Sequence, residues 1–123
     1  MANAPLDFSL LLKAGLPTRA YVADEVIFRE GDKAEALFVV QSGSVEIHAG
    51  HRVVAILGPG EFFGEMSLVD PAPRSGTAIA VTDVTLVPVS EKQFLKIVSE
   101  TPSFALDLLR LFVRRLRARD GYY

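Results

Sequence analysis

The residues of this chain that could do chemistry gather between Phe63 and Thr77. Phe63-Gly64-Glu65-Met66-Ser67-Leu68-Val69 places helix-forming residues behind a glycine, and Asp70-Pro71-Ala72-Pro73 stops that segment just before Arg74-Ser75-Gly76-Thr77. Such a pattern can make an anion site. Glycine has no Cβ and lets the backbone pass close to a ligand. The first turn of a helix presents unpaired amides and the positive end of its dipole. A phosphate there would accept from the Met66 and Ser67 amides. Arg74 would close over it with a planar, permanently charged fork, and Ser75 would add a hydroxyl. Glu65 would be repelled by the same phosphate, but a carboxylate suits a sugar hydroxyl, and an arginine nearby keeps it ionised. Taken alone, these residues leave a plainer arrangement open: an exposed turn carrying a surface Glu–Arg pair that contributes little.

Other chemistries find less support. His48 and His51 are the only imidazoles, flank a short Ala49-Gly50 step, and are expected in an exposed hairpin loop. No carboxylate stands near them at the spacing of a metal-dependent jelly-roll enzyme, so no metal site is expected. No serine or threonine is set with histidine and acid in a nucleophile motif, and the chain is expected not to be an enzyme. There is no cysteine, hence no disulfide or thiolate site. The net charge is −2, with five arginines (Arg110, Arg114, Arg115, Arg117, Arg119) crowded near the C-terminus. That crowding reads either as a solvated helix face or as a contact for a phosphate, membrane or partner. A nucleic-acid reader would carry a net basic face. No apolar stretch approaches the ~18 residues of a membrane span, and Met1–Pro5 is unlike a signal peptide, so a cytoplasmic location is expected.

The elements that must position the segment fall into three regimes within one expected domain, 1–123. Apolar spacing of three and four over 6–14 predicts a short helix. Across 21–89, short apolar runs such as Val26–Phe28, Leu37–Val40, Val45–Ile47 and Val53–Leu57 alternate with turn residues. Many short strands at near-regular spacing predict a sandwich or small barrel. Beyond Ser90 the pattern is helical again. Ser90 and Gln93 form a capping box opening a helix over 91–99, and a second helix is expected over 102–119. Its apolar stripe includes Leu106, Leu109, Phe112, Val113 and Leu116.

At this point the residues carry a family resemblance. Phe63-Gly64-Glu65-Met66-Ser67-Leu68 followed by Pro73-Arg74-Ser75-Gly76-Thr77 resembles the phosphate-binding cassette of cyclic-nucleotide-binding domains, including the spacing from Glu65 to Arg74. That domain occurs in catabolite-activator-type regulators, cyclic-nucleotide-gated channels and kinase regulatory subunits. Val26–Asp32, Leu37–Val45 and Gly58-Pro59-Gly60-Glu61-Phe62 are similar to the family's hairpins and the turn before the cassette. The resemblance implies a mainly β fold: a jelly-roll-like β-roll (double-stranded β-helix) with an N-terminal helix, a short cassette helix and two C-terminal helices. It implies that Gly64, Glu65, Met66 and Ser67 hold ribose and phosphate while Arg74 and Ser75 close over the phosphate. Base contacts would come from Ile47, Ala55 and Leu57, with Arg119 and Asp120 on the last helix able to reach the base and Tyr122 or Tyr123 able to stack on it. Gly76 departs from the family, which usually has alanine there.

The resemblance further implies cyclic-nucleotide sensing without catalysis and without a cofactor. Members selective for cyclic GMP often carry threonine after the cassette arginine; Ser75 tilts the expectation to cyclic AMP, with cyclic GMP the alternative. The ligand would draw the cassette inwards, bending at Gly60 and Gly64, and move the C-terminal helix. That helix would offer Leu109, Phe112, Val113 and Leu116 to a second copy or a partner protein. The chain ends without a helix-turn-helix, so it is not expected to read DNA alone. The alternatives are a ligand-free interaction domain of the same fold, or a regulatory piece of a transcription factor, channel or kinase.

Overall fold

A computed structural model describes residues 15–68 and 72–117. Its strands are β1 (Arg19–Tyr21), β2 (Val26–Phe28), β3 (Ala36–Ser42), β4 (Val45–Ala49), β5 (Arg52–Leu57), β6 (Phe62–Phe63), β7 (Thr77–Ala80) and β8 (Val84–Ser90). A 3-10 turn, Glu65–Leu68, stands between β6 and β7, and two helices follow, α1 (Glu91–Glu100) and α2 (Ser103–Arg117). The strands form two antiparallel four-stranded sheets, ordered β1-β8-β3-β6 and β2-β7-β4-β5, which give the expected mainly β jelly-roll. The helix expected over 6–14 lies outside the described residues.

The centre of the first sheet, β3 and β8, is buried on both faces, and its sequence shows it. Leu37 and Val39 of β3, with Val87 and Val89 of β8, face a core completed by Ile97, Phe104 and Leu108 of the helices. The intervening Phe38, Val40 and Leu86 face the inside of the roll with Val45, Leu57, Phe63, Ala78 and Ala80. Register pairs Leu37 with Val89 and Val39 with Val87, so each core receives matched rows from neighbouring strands. A strand covered on both sides has no polar face, hence the unbroken Leu37–Val40 run. Even the two-residue β6 divides itself, sending Phe62 to the helix side and Phe63 into the roll.

The roll is wider than 21–89 at both ends, since β1 begins at Arg19 and β8 closes at Ser90. The capping box forms as expected: the Gln93 amide donates to Ser90 Oγ at 3.2 Å and the Ser90 amide to Gln93 Oε1 at 2.9 Å. The helix it opens extends to Glu100, where the Thr101 amide still donates to the Ile97 carbonyl at 2.7 Å. His48 corrects the loop assignment. It lies on β4, half-buried, with Nε2 2.9 Å from Glu46 Oε1, because the hairpin turns at Gly50-His51 one residue beyond the strand end.

Candidate functional site

A cleft of about 960 Å³ opens between the second sheet, the segment around the 3-10 turn and the face of α2. Phe63, Gly64, Glu65, Arg74 and Ser75 line it on one side, and Ile47, Ala55 and Leu57 on the other. The β4–β5 ladder explains the second group: Ile47 stands opposite Ala55 and Val45 opposite Leu57, so alternate residues share the inward face. Met66 and Ser67 belong to the turn, which is 3-10 in kind and only four residues long. Its opening amides have no partner within the turn itself. Thr77 is not brought to the cleft. It starts β7, and its Oγ accepts from the Glu30 amide at 3.0 Å. Arg119, Asp120, Tyr122 and Tyr123 lie outside the described residues.

Arg74 dominates the site. It is 8 % exposed and, among the described residues, the one charged residue that is buried. Nη1 donates to the Gly64 carbonyl at 3.1 Å and Nη2 to the Ala36 carbonyl at 2.7 Å. Nε is buried and has no hydrogen-bond partner among the described residues. Burial holds the guanidinium below the ordinary arginine range, against the opposing pull of Asp32 and Glu65. It stays charged at neutral pH. No ion pair to Arg74 forms among the described residues. A buried cation hydrogen-bonded to neutral carbonyls, with its nearest carboxylates beyond ion-pair contact, has given up hydration without gaining a paired counter-charge. An anion reaching Nε would supply both.

Gly64 makes that arrangement possible. Its φ is +74°, and a Cβ placed on it would lie 2.6 Å from Arg74 Nη1. The close approach seen at this glycine is that of the arginine of the same site. Gly76 is explained by space too. A Cβ there would meet the His48 carbonyl oxygen at 2.7 Å, so the missing methyl lets β4 close on this segment. Gly76→Ala is expected to lower stability by about 1–3 kcal/mol through overpacking, read as a fall in the thermal midpoint.

Glu65 meets an arginine, but not chiefly the expected one. Arg115 of α2 places Nη1 3.4 Å from Glu65 Oε1, donates from Nη2 to the Phe62 carbonyl, and lies 4.4 Å from the Phe62 ring centroid. The helix end is thereby fixed against β6 and the 3-10 turn. Arg115 therefore leaves the solvated cluster, and Arg114 also lines the cleft. A signal in the sequence could have separated Arg115 from its neighbours. Leu108 and Leu111 precede it by seven and four positions, on one helical face, and both pack on the core.

The apolar face of α2 differs from expectation for the same reason. Phe112 packs against the helix-side core, and the stripe left exposed is Leu106, Leu109 and Val113. No group of three residues able to hold a metal ion occurs among the described residues. No helix among them is long and apolar enough to cross a membrane.

Comparison with known proteins bears on the family and fold of the chain. Residues 18–101 match the family described as the cyclic nucleotide-binding domain. The cyclic AMP receptor protein of Thermus thermophilus is 41 % identical over 107 residues, covering 83 % of this chain and 50 % of the relative. A cyclic nucleotide-gated potassium channel of Mesorhizobium japonicum is 39 % identical, over 73 % of this chain and 25 % of the channel. Among solved structures, the Thermus thermophilus catabolite activator protein superposes with a TM-score of 0.79 at 37 % identity, covering 97 % of this chain and 59 % of that one. The chain thus spans half or less of the length of these curated relatives.

Proposed function

Since this chain belongs to the cyclic nucleotide-binding domain family, we propose that residues 1–123 form one non-catalytic sensing domain for a cyclic mononucleotide, cyclic AMP in the first instance. One observation carries the reading: Arg74 is a desolvated cation whose Nε has no hydrogen-bond partner among the described residues, set beside a cleft of about 960 Å³. A cyclic phosphate brings one negative charge to that point. Glu65, Met66, Ser67 and Ser75 would complete the hold on ribose and phosphate, and Ile47, Ala55 and Leu57 offer an apolar wall suited to the base. The readout would pass through α2, because Arg115 ties that helix to Glu65 and to the Phe62 carbonyl. The exposed stripe Leu106, Leu109 and Val113 is where a second copy or a partner protein would receive it.

The test is thermal unfolding with and without ligand. A ligand present at a hundredfold excess over its dissociation constant adds about 2.7 kcal/mol to the folded state. For a chain of this size, cyclic AMP should then raise the midpoint by about 10 °C. Cyclic GMP should do less, and linear AMP, with its extra charge and open phosphate, little. If none of the three moves the midpoint, the domain is an interaction module working through α2 alone.

A second measurement isolates the sugar. Glu65→Gln should weaken cyclic AMP binding by roughly tenfold, because a charged acceptor becomes a neutral amide. Removing the 2′-hydroxyl from the ligand should weaken binding to the native protein by a similar factor, yet change little in Glu65→Gln. Independent losses that simply add would place Glu65 away from the ribose.

A further inference from the structure

The guanidinium of Arg74 rests on an aromatic face as well as on hydrogen bonds. Its Cζ lies 4.1 Å from the centroid of the Phe28 ring and 5.7 Å from that of Phe38. Two of its three nitrogens are taken edge-on by the carbonyls of Gly64 and Ala36. A guanidinium is planar. Once a ring holds one face and two nitrogens are tied, the direction of the third is decided. That third nitrogen is Nε, the buried atom without a partner among the described residues.

We propose that Phe28 is a positioning residue for ligand recognition, its ring holding the plane of Arg74 so that Nε–H is presented to the ligand's anionic group. The proposal rests on the reading that the cleft takes a cyclic nucleotide. Phe28 lines that cleft at the end of β2. Its ring is braced in turn by Phe38 and Phe63, with centroids 6.1 and 5.9 Å away, and those two stack on each other at 5.3 Å. Ring and guanidinium come from segments far apart in the chain. They are tied by two backbone hydrogen bonds of 2.8 Å, from the Gly31 amide to the Arg74 carbonyl and from the Arg74 amide to the Asp32 carbonyl. A cation over an aromatic face is attracted by the ring quadrupole, more strongly where water is excluded. An aliphatic side chain of similar bulk fills the space without that attraction.

The experiment places mono-, di- and penta-fluorinated phenylalanine at position 28, which keeps the shape nearly constant while draining negative potential from the ring face. Cyclic AMP affinity is read by calorimetry across the series, together with Phe28→Leu and Phe28→Tyr. Affinity should fall stepwise with fluorine, reaching about tenfold at the penta-fluorinated end, and Phe28→Leu should match that loss. Phe28→Tyr should stay within about twofold. Equal affinity across the fluorine series would overturn the proposal whatever Phe28→Leu does. A second readout needs no ligand: the Arg74 Nε–H proton resonance should be shifted upfield by the ring current in the native protein and return downfield in Phe28→Leu. A native resonance at the position of a solvent-exposed arginine would sink the positioning role even if cyclic AMP binds well. Conversely, a native protein that takes no cyclic nucleotide would remove the functional reading, while the resonance would still decide whether Phe28 holds Arg74.

Discussion

Arg74→Ala is expected to weaken cyclic AMP binding by about 3 kcal/mol, a hundredfold or more in the dissociation constant. The same substitution should also lower stability in the absence of ligand, because Arg74 donates to the carbonyls of Gly64 and Ala36 and fills space over Phe28. Removing the donor from buried carbonyls and leaving a void costs about 2–4 kcal/mol together. Part of that loss is returned, since a desolvated charge disappears with the side chain. Lysine should not restore either quantity, having one nitrogen where the site uses a planar fork. Calorimetric titration beside denaturant unfolding separates the effects. Unchanged affinity in a folded Arg74→Ala protein would take Arg74 out of the ligand site and leave it a structural cation.

Gly64→Ala is expected to come second, and it acts through the same arginine. A residue with a Cβ at φ +74° costs about 1–2 kcal/mol, and overpacking adds about 1–3 kcal/mol. The new methyl would stand 2.6 Å from Arg74 Nη1, and that guanidinium has little freedom to retreat, held as it is by the Ala36 carbonyl and the Phe28 ring. Arg74 must turn out of its place or the β6 end must shift. Either movement should reduce cyclic AMP affinity by roughly tenfold or more, with a fall in the thermal midpoint. A stable Gly64→Ala protein with native affinity would mean that the backbone at Gly64 relaxes more easily than its burial suggests.

Much of this was legible in the sequence, and the reasons differ by element. The helix opened by Ser90 and Gln93 was readable because a capping box is local chemistry. Gly64, Glu65, Arg74 and Ser75 could be expected around one cleft only through the cassette resemblance, since taken alone they leave an exposed turn with a surface Glu–Arg pair open. The strands β1 and β6, of three and two residues, carry too few positions for any period to show. Their places are set by ladder partners, Val84–Leu86 for one and Phe38–Val39 for the other. Arg115 was hidden among four other arginines, since composition gives only a basic helix and the one mark of its inward register is its spacing from Leu108 and Leu111. The seat of Arg74 on Phe28 was out of reach for another reason. It joins segments separated by more than forty residues, and nothing in either segment names the other.

The two neighbours Phe62 and Phe63 carry a consequence for communication. Adjacent side chains on a strand point to opposite faces, so a rotation of the backbone there carries both. Phe63 belongs to the interior that borders the cleft; Phe62 belongs to the helix-side core, and Arg115 lies on its ring. A twist of β6 that suited an occupant of the cleft would therefore be felt at α2, and a twist imposed from α2 would be felt in the cleft. Such linkage is reciprocal by thermodynamic necessity. Whatever factor a cleft occupant applies to the grip of a partner on α2, that partner applies the same factor to the occupant.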